Sequence, residues 1–191
     1  MRRGASWIVS VAVVWWGTAA LCAAAPNEGA ELIGTKAPNW DVSEWFNSQP
    51  LSLEQLRGRV VLVRWWTGQE CPYCAASAPN LNAWYEKYHA KGLLIIGFYH
   101  HKSTTPLTHQ HVQRLVERYG FKFPVAIDPD WRTLKRWWLD KHERAWTSVS
   151  FLIDQEGIIR CIHPGGSYSP TEAQALESRI QELLTHRANS P

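Results

Sequence analysis

Two cysteines, Cys71 and Cys74, stand two residues apart in the stretch RWWTGQECPYCA, residues 64–75. That spacing suits a redox dithiol, half of a tetrahedral metal site, or a small structural staple. A metal site needs further ligands. No second cysteine pair of this kind exists, so the candidates are His100, His101, His109 and His111. These histidines lie after an apolar run, on the sheet edge where Cys71 belongs, which keeps a copper or zinc thiolate–imidazole site open. His109 and His111 are two apart and would not face each other on a helix. A staple across two residues constrains too little chain to stabilise much. The redox reading draws most support from position. Cys71 falls where an apolar run ends and a helix begins, and Pro72 suits a first helical turn, where its missing N–H costs nothing. Free N–H groups and the positive end of the helix dipole favour a thiolate there, with a pKa drawn down to about 3.5–7.5. Cys74, on the apolar face of that helix, is the protected partner. The roles follow: Cys71 attacks and Cys74 resolves.

The elements that position this pair are legible in the hydrophobic pattern. Val60 to Trp66 is apolar except at Arg64 and reads as a buried strand. Beyond Cys71, apolar residues at 74, 78, 81, 85 and 88 mark one helix face, ended by Gly92. Leu93 to Tyr99 is a second buried strand. Val112, Leu115, Val116 and Tyr119 mark a second helix ended by Gly120. Residues 124–127 read as a short strand and 131–139 as helical. Residues 149–153 and 158–162 read as strands joined by a turn at 154–157. Ala173, Leu176, Ile180, Leu183 and Leu184 give a last helix. Residues 40–53 read as irregular or a hairpin. Alternating strands and helices followed by a hairpin predict an α/β fold, a central mixed β-sheet flanked by helices. Trp65, Trp66, Trp137 and Trp138 read as core or groove wall, and Tyr73 as exposed beside its target. Cys161, in the strand at 158–162, reads as a small buried hydrophobe, with a third redox thiol as the alternative.

The first 25 residues differ from the rest. Arg2 and Arg3 precede an uncharged run from Trp7 to a small-residue end at Ala23-Ala24-Ala25, the layout of a secretory signal peptide. The alternative is an anchor over residues 7–25. Leu21 is too bulky to precede a lipidated Cys22. Residues 26–36 then read as a linker and 37–186 as the folded domain. Export implies a periplasmic or other extracytoplasmic compartment, where thiols oxidise unless kept reduced. The net charge of +3 falls almost to neutral without Arg2 and Arg3, so no nucleic-acid footprint is present.

The chain resembles the thioredoxin superfamily, in its exported TlpA/ResA-type branch, which overlaps the AhpC/TSA-like redoxins. The resemblance runs from about Gly34 to Leu184. It rests on Ala37-Pro38, Leu51-Ser52-Leu53 to Gly58, the strand and CPYC motif, and Pro79. Tyr119-Gly120-Phe121 to Val125, Asp128-Pro129-Asp130, and Phe151-Leu152-Ile153-Asp154 through Gly157 complete it. It implies a thioredoxin-like fold, thiol–disulfide exchange with protein thiols and disulfides, no bound cofactor, and a membrane or soluble redox donor. Three positions depart from the pattern. Ser148 replaces a proline that is usually cis, and a cis bond before serine would cost about 2.5–4 kcal/mol, so the bond is expected trans. Arg64 stands where relatives carry an acid or asparagine. It either lowers the Cys71 pKa, pairs with Glu70, or extends its stem to the surface. Gly68 takes the place of the peroxiredoxin threonine, which disfavours a peroxiredoxin-like antioxidant role.

Overall fold

The structure is a computed structural model that describes residues 28–68, 71–140 and 142–186. The signal-peptide, anchor and Cys22 readings and the Arg64–Glu70 pairing lie outside those residues. A six-stranded mixed sheet forms the centre, in the order β1-β4-β3-β2-β5-β6. The strands are β1 (Ser43–Phe46), β2 (Val60–Trp66), β3 (Leu93–Tyr99), β4 (Val125–Ile127), β5 (Val149–Ile153) and β6 (Ile159–Pro164). β2, β3 and β4 run parallel; β1, β5 and β6 pair antiparallel to their neighbours. The helices are α1 (Pro72–Tyr88), α2 (His109–Tyr119), α3 (Arg132–Leu134) and α4 (Pro170–His186).

β2 and β3 are buried along their whole length because both sheet faces are covered. Residues alternate between the two layers. Val60, Leu62 and Trp66 pack with apolar residues of α1, α2 and α4. Val61, Val63 and Trp65 pack in the opposite layer with Leu134, Trp137 and Trp138. Arg64 has the parity of the first layer and so points beneath α1. All four of these tryptophans are buried, as the sequence suggests. Trp65 donates its indole N–H to Asp128 at 2.9 Å. The same carboxylate accepts the Thr133 and Leu134 amides, both at 2.8 Å, and so seats the start of α3. Gly120, at φ 65°, closes α2 in a left-handed conformation that a side chain would oppose.

The segment at 131–139 is not one regular helix. A 3-10 turn leads into α3, which runs into a π turn at Lys135–Leu139. β1 emerges from the stretch read as irregular or hairpin; its partner is β4, some eighty residues on, in register Phe46↔Val125. Its four residues, bulged between Ser43 and Trp45, are too few to print a period-two pattern.

Residues 28–36, read as part of a linker, are bound to the domain. Gly34 donates to the Ile159 carbonyl at 2.8 Å, Ile159 donates to Thr35 at 2.9 Å, and Lys36 bridges Ile158. These are main-chain bonds, which leave no mark in side-chain hydrophobicity. Cys161 is fully buried opposite Leu152 in β6, as the sequence suggests. Among the described residues, no helix is long and apolar enough to cross a membrane.

Candidate active site

β2 delivers the chain to the C-terminal edge of the sheet, and α1 carries it back. Cys71 is the N-cap residue between them, with extended backbone at φ −115° and ψ 94°. Its Sγ accepts the Cys74 amide at 3.2 Å, as an N-cap oxygen would. Pro72 occupies the first helical turn, as expected. Both cysteines are free thiols, and their sulfurs stand 2.7 Å apart. Cys71 is half-buried and Cys74 is 1% exposed, so only one sulfur of the pair is open to attack or to be attacked.

The thiol chemistry differs from the expectation for a helix N-terminus. Burial and the adjacent Cys74 sulfur push the Cys71 thiol up to about 11, while the Cys74 N–H and the Arg64 charge pull it down. Desolvation of a charged sulfur outweighs one amide and a cation separated from it by other groups.

Ser148 faces the dithiol, with its Oγ 3.5 Å from the Cys74 sulfur. Its peptide bond is trans, as expected; the described residues contain no cis peptide. A hydroxyl thus lies where the resemblance would have a proline ring.

Arg64 does not reach the surface. It is fully buried, and among the described residues no carboxylate pairs with it. Its Nη1 donates to Gly165 O at 2.7 Å and to Ser150 Oγ at 3.1 Å, and its Nη2 to Gly166 O at 2.6 Å. The guanidinium lies 5.4 Å from the centre of the Tyr168 ring, and the Tyr168 hydroxyl is 2.6 Å from Ser150 Oγ. A planar fork of donors holds the two successive carbonyls from two separate nitrogens in one fixed geometry, where an ammonium would offer a single rotatable nitrogen. The charge therefore fixes the turn after β6. At Gly166 that turn presses on the dithiol loop: a Cβ there would lie 2.5 Å from Tyr73 Cβ. Sequence alone gave Arg64 three possible ends and left Gly165, Gly166 and Tyr168 unmarked; the only local signal was the turn-forming Pro164-Gly165-Gly166.

A cleft of about 340 Å³ opens beside Cys71. Tyr73 and Trp146 stand exposed on it, their rings edge-to-face at 6.2 Å, with Lys102, Thr147 and Ser148 along the rest of the wall.

The four histidines do not converge on the dithiol. His101 is held by the Tyr99 hydroxyl at 3.0 Å and the Thr105 carbonyl at 2.7 Å, and His111 stands edge-on to it at 6.2 Å. His109 pairs with Glu44 at 3.0 Å and stacks on Phe46. His100 is buried against Trp131, and burial, with Lys102 and Arg64 nearby, pushes it down to about 3. Among the described residues no three His, Cys, Asp or Glu side chains are grouped as a metal site requires.

Comparison with known proteins agrees with this architecture. The AhpC/TSA family profile matches residues 33–162. Protein DipZ of Mycobacterium tuberculosis is 30% identical over 146 residues, 74% of this chain but only 20% of DipZ. Thiol-disulfide oxidoreductase ResA of Bacillus thuringiensis is 33% identical over 125 residues, 65% of each chain. The crystal structure of a candidate thiol:disulfide interchange protein DsbE from Chlorobium tepidum superposes with a TM-score of 0.65 at 27% identity. It covers 80% of this chain and 97% of that one. The fold is thioredoxin-like. The chain spans about a fifth of the length of DipZ and about two thirds of ResA.

Proposed function

The chain belongs to the AhpC/TSA family, and from that premise we propose that it is an extracytoplasmic thiol–disulfide oxidoreductase working through Cys71 and Cys74. The observation that carries this reading is the asymmetry of the pair: a half-buried sulfur on a cleft, with a buried sulfur 2.7 Å behind it. The similarity to proteins named ResA and DsbE supports the same activity. The layout of the first 25 residues supports the compartment.

In the reducing direction, the Cys71 thiolate attacks one sulfur of a partner disulfide and expels the other as a thiolate. A mixed disulfide between Cys71 and the partner results. The Cys74 thiolate then attacks Cys71 Sγ and expels the partner's second thiolate. Two electrons pass to the partner, and Cys71–Cys74 is left oxidised. The expelled thiolates take up the two protons that Cys71 and Cys74 give to solvent. A protein dithiol donor, soluble or in the membrane, re-reduces the pair by the same steps in reverse. With an oxidised pair and a reduced partner, the reactions run the other way. Cys71 is the attacking residue because it is the reachable one; Cys74 resolves because its distance requires no rearrangement of the helix.

Replacing Cys74 by serine removes the second step alone. The C74S protein is expected to accumulate partner proteins in mixed disulfides on Cys71, seen as reducible adducts, and the C71S protein to accumulate none. Adducts on C71S instead of C74S would reverse the roles. Absence of adducts on both, with no exchange by the wild type, would defeat the reading.

A further inference from the structure

Among the described residues four large hydrophobic side chains are exposed, and two of them, Tyr73 (53%) and Trp146 (44%), stand together on the cleft beside Cys71. Aromatic side chains held in water next to a reactive group are characteristic of recognition surfaces, where they contribute apolar area at small entropic cost. The backbone that carries Trp146 is held in place. Its carbonyl accepts the Trp138 indole N–H at 2.6 Å, and the preceding amide, of Ala145, donates to the Glu28 carboxylate at 2.9 Å. The wall is thus organised before a partner arrives. Lys102 is the one charged side chain among the described residues lining the cleft. It is exposed, and its ammonium lies 5.8 Å from the centre of the Trp131 ring, which restrains it. An aromatic corner and a cation thus line the same cleft as Cys71.

We propose that this cleft docks an extended segment of a partner protein whose disulfide cysteine is flanked by an aromatic or aliphatic side chain and, within a residue or two, by a carboxylate. The apolar side chain seats against Tyr73 and Trp146, and the carboxylate meets Lys102. This deepens the thiol–disulfide reading above and rests on it. The volume of about 340 Å³ suits a few side chains of such a segment rather than a folded surface.

The test uses the reduced full chain and four short peptides, each with its cysteine in a disulfide to 2-mercaptoethanol. The flanking residues are Phe or Ala on one side and Asp or Lys on the other. Hydroxyethyl disulfide, which carries neither feature, is the reference substrate. The Phe/Asp peptide is expected to react fastest. Exchanging Asp for Lys should slow the reaction about fivefold at low salt, and the difference should shrink as salt rises. Exchanging Phe for Ala should cost a few-fold, roughly two to ten. With each variant's rates divided by its own rate on the reference, Lys102→Glu should invert the charge preference. Trp146→Ala should erase the aromatic one. Equal rates for all four wild-type peptides would overturn the docking proposal while leaving the exchange reading intact. Glutathione disulfide outrunning the Phe/Asp peptide would also overturn it, in favour of a small-molecule partner. No reaction with hydroxyethyl disulfide or any peptide would overturn both.

Discussion

At the scale of single residues, the site pairs a thiol held protonated with a cation held dry. Because burial and the second sulfur push Cys71 up to about 11, little of it is thiolate at neutral pH. For an acid whose pKa is raised, the reactive ionised form grows as pH rises towards that value. Alkylation of Cys71 by iodoacetamide in the reduced protein is therefore expected to accelerate about tenfold per pH unit from 7 to 9. A plateau reached below pH 7, read from the same rates, would mean that the helix N-terminus dominates after all. Arg64 is the second residue whose behaviour is set by burial. Arg64→Met would leave the Gly165 and Gly166 carbonyls without their donors, at about 1–3 kcal/mol each, while relieving the cost of a buried charge. A net loss of about 2 kcal/mol is expected in denaturant unfolding of the reduced protein. The same variant loses the positive field on Cys71, so its alkylation at a fixed pH should slow.

The elements convert these residue properties into a site. A parallel β2–β3 pair buried on both faces ends at a common edge, and α1 must start there to cross back over the sheet. The dithiol is a consequence of that turn, with Cys71 as its cap. The turn after β6 closes the opposite side of the motif, and Gly166 is where the two touch. Gly166→Ala would place a methyl group 2.5 Å from Tyr73 Cβ, a contact that forces one loop away from the other. Overpacking of this kind costs about 1–3 kcal/mol. The variant should lower the unfolding midpoint and slow exchange with a disulfide peptide more than alkylation by a small reagent, because the wall moves while the sulfur stays. Equal slowing of both would place the damage at Cys71 itself.

The whole molecule adds contacts between segments far apart in the chain. Residues 28–36 lie along β6 and also reach the loop that carries Trp146, through Glu28 to the Ala145 amide and Glu31 to Arg144. Arg144 in turn covers the Trp138 ring, its guanidinium carbon 4.1 Å from the ring centre. One wall of the cleft is thus braced from the opposite end of the domain. Glu28→Ala removes the acceptor of the Ala145 N–H without touching the sheet. Hydrogen exchange at Ala145, followed by NMR, is expected to quicken several-fold while amides of β2 and β3 keep their protection. Unchanged exchange at Ala145 would show that the brace does not hold the loop.

The hydrophobic pattern by itself determined β2, β3 and β5 to the residue, the start of α1 at the CPYC motif, and the α/β class, because continuous burial and helical spacing are written in side-chain type. It also picked out Cys71 and Cys74, whose spacing is local. It could not determine β1 or the binding of residues 28–36, since both rest on main-chain pairing with distant strands. Nor could it decide where Arg64 ends, since a long side chain in a buried strand has several outlets until Gly165 and Gly166 arrive a hundred residues later to accept it. The raised pKa of Cys71 belongs to the same class. Helix position is legible in one dimension, but desolvation depends on everything that packs around the sulfur, and only the tertiary structure assembles that.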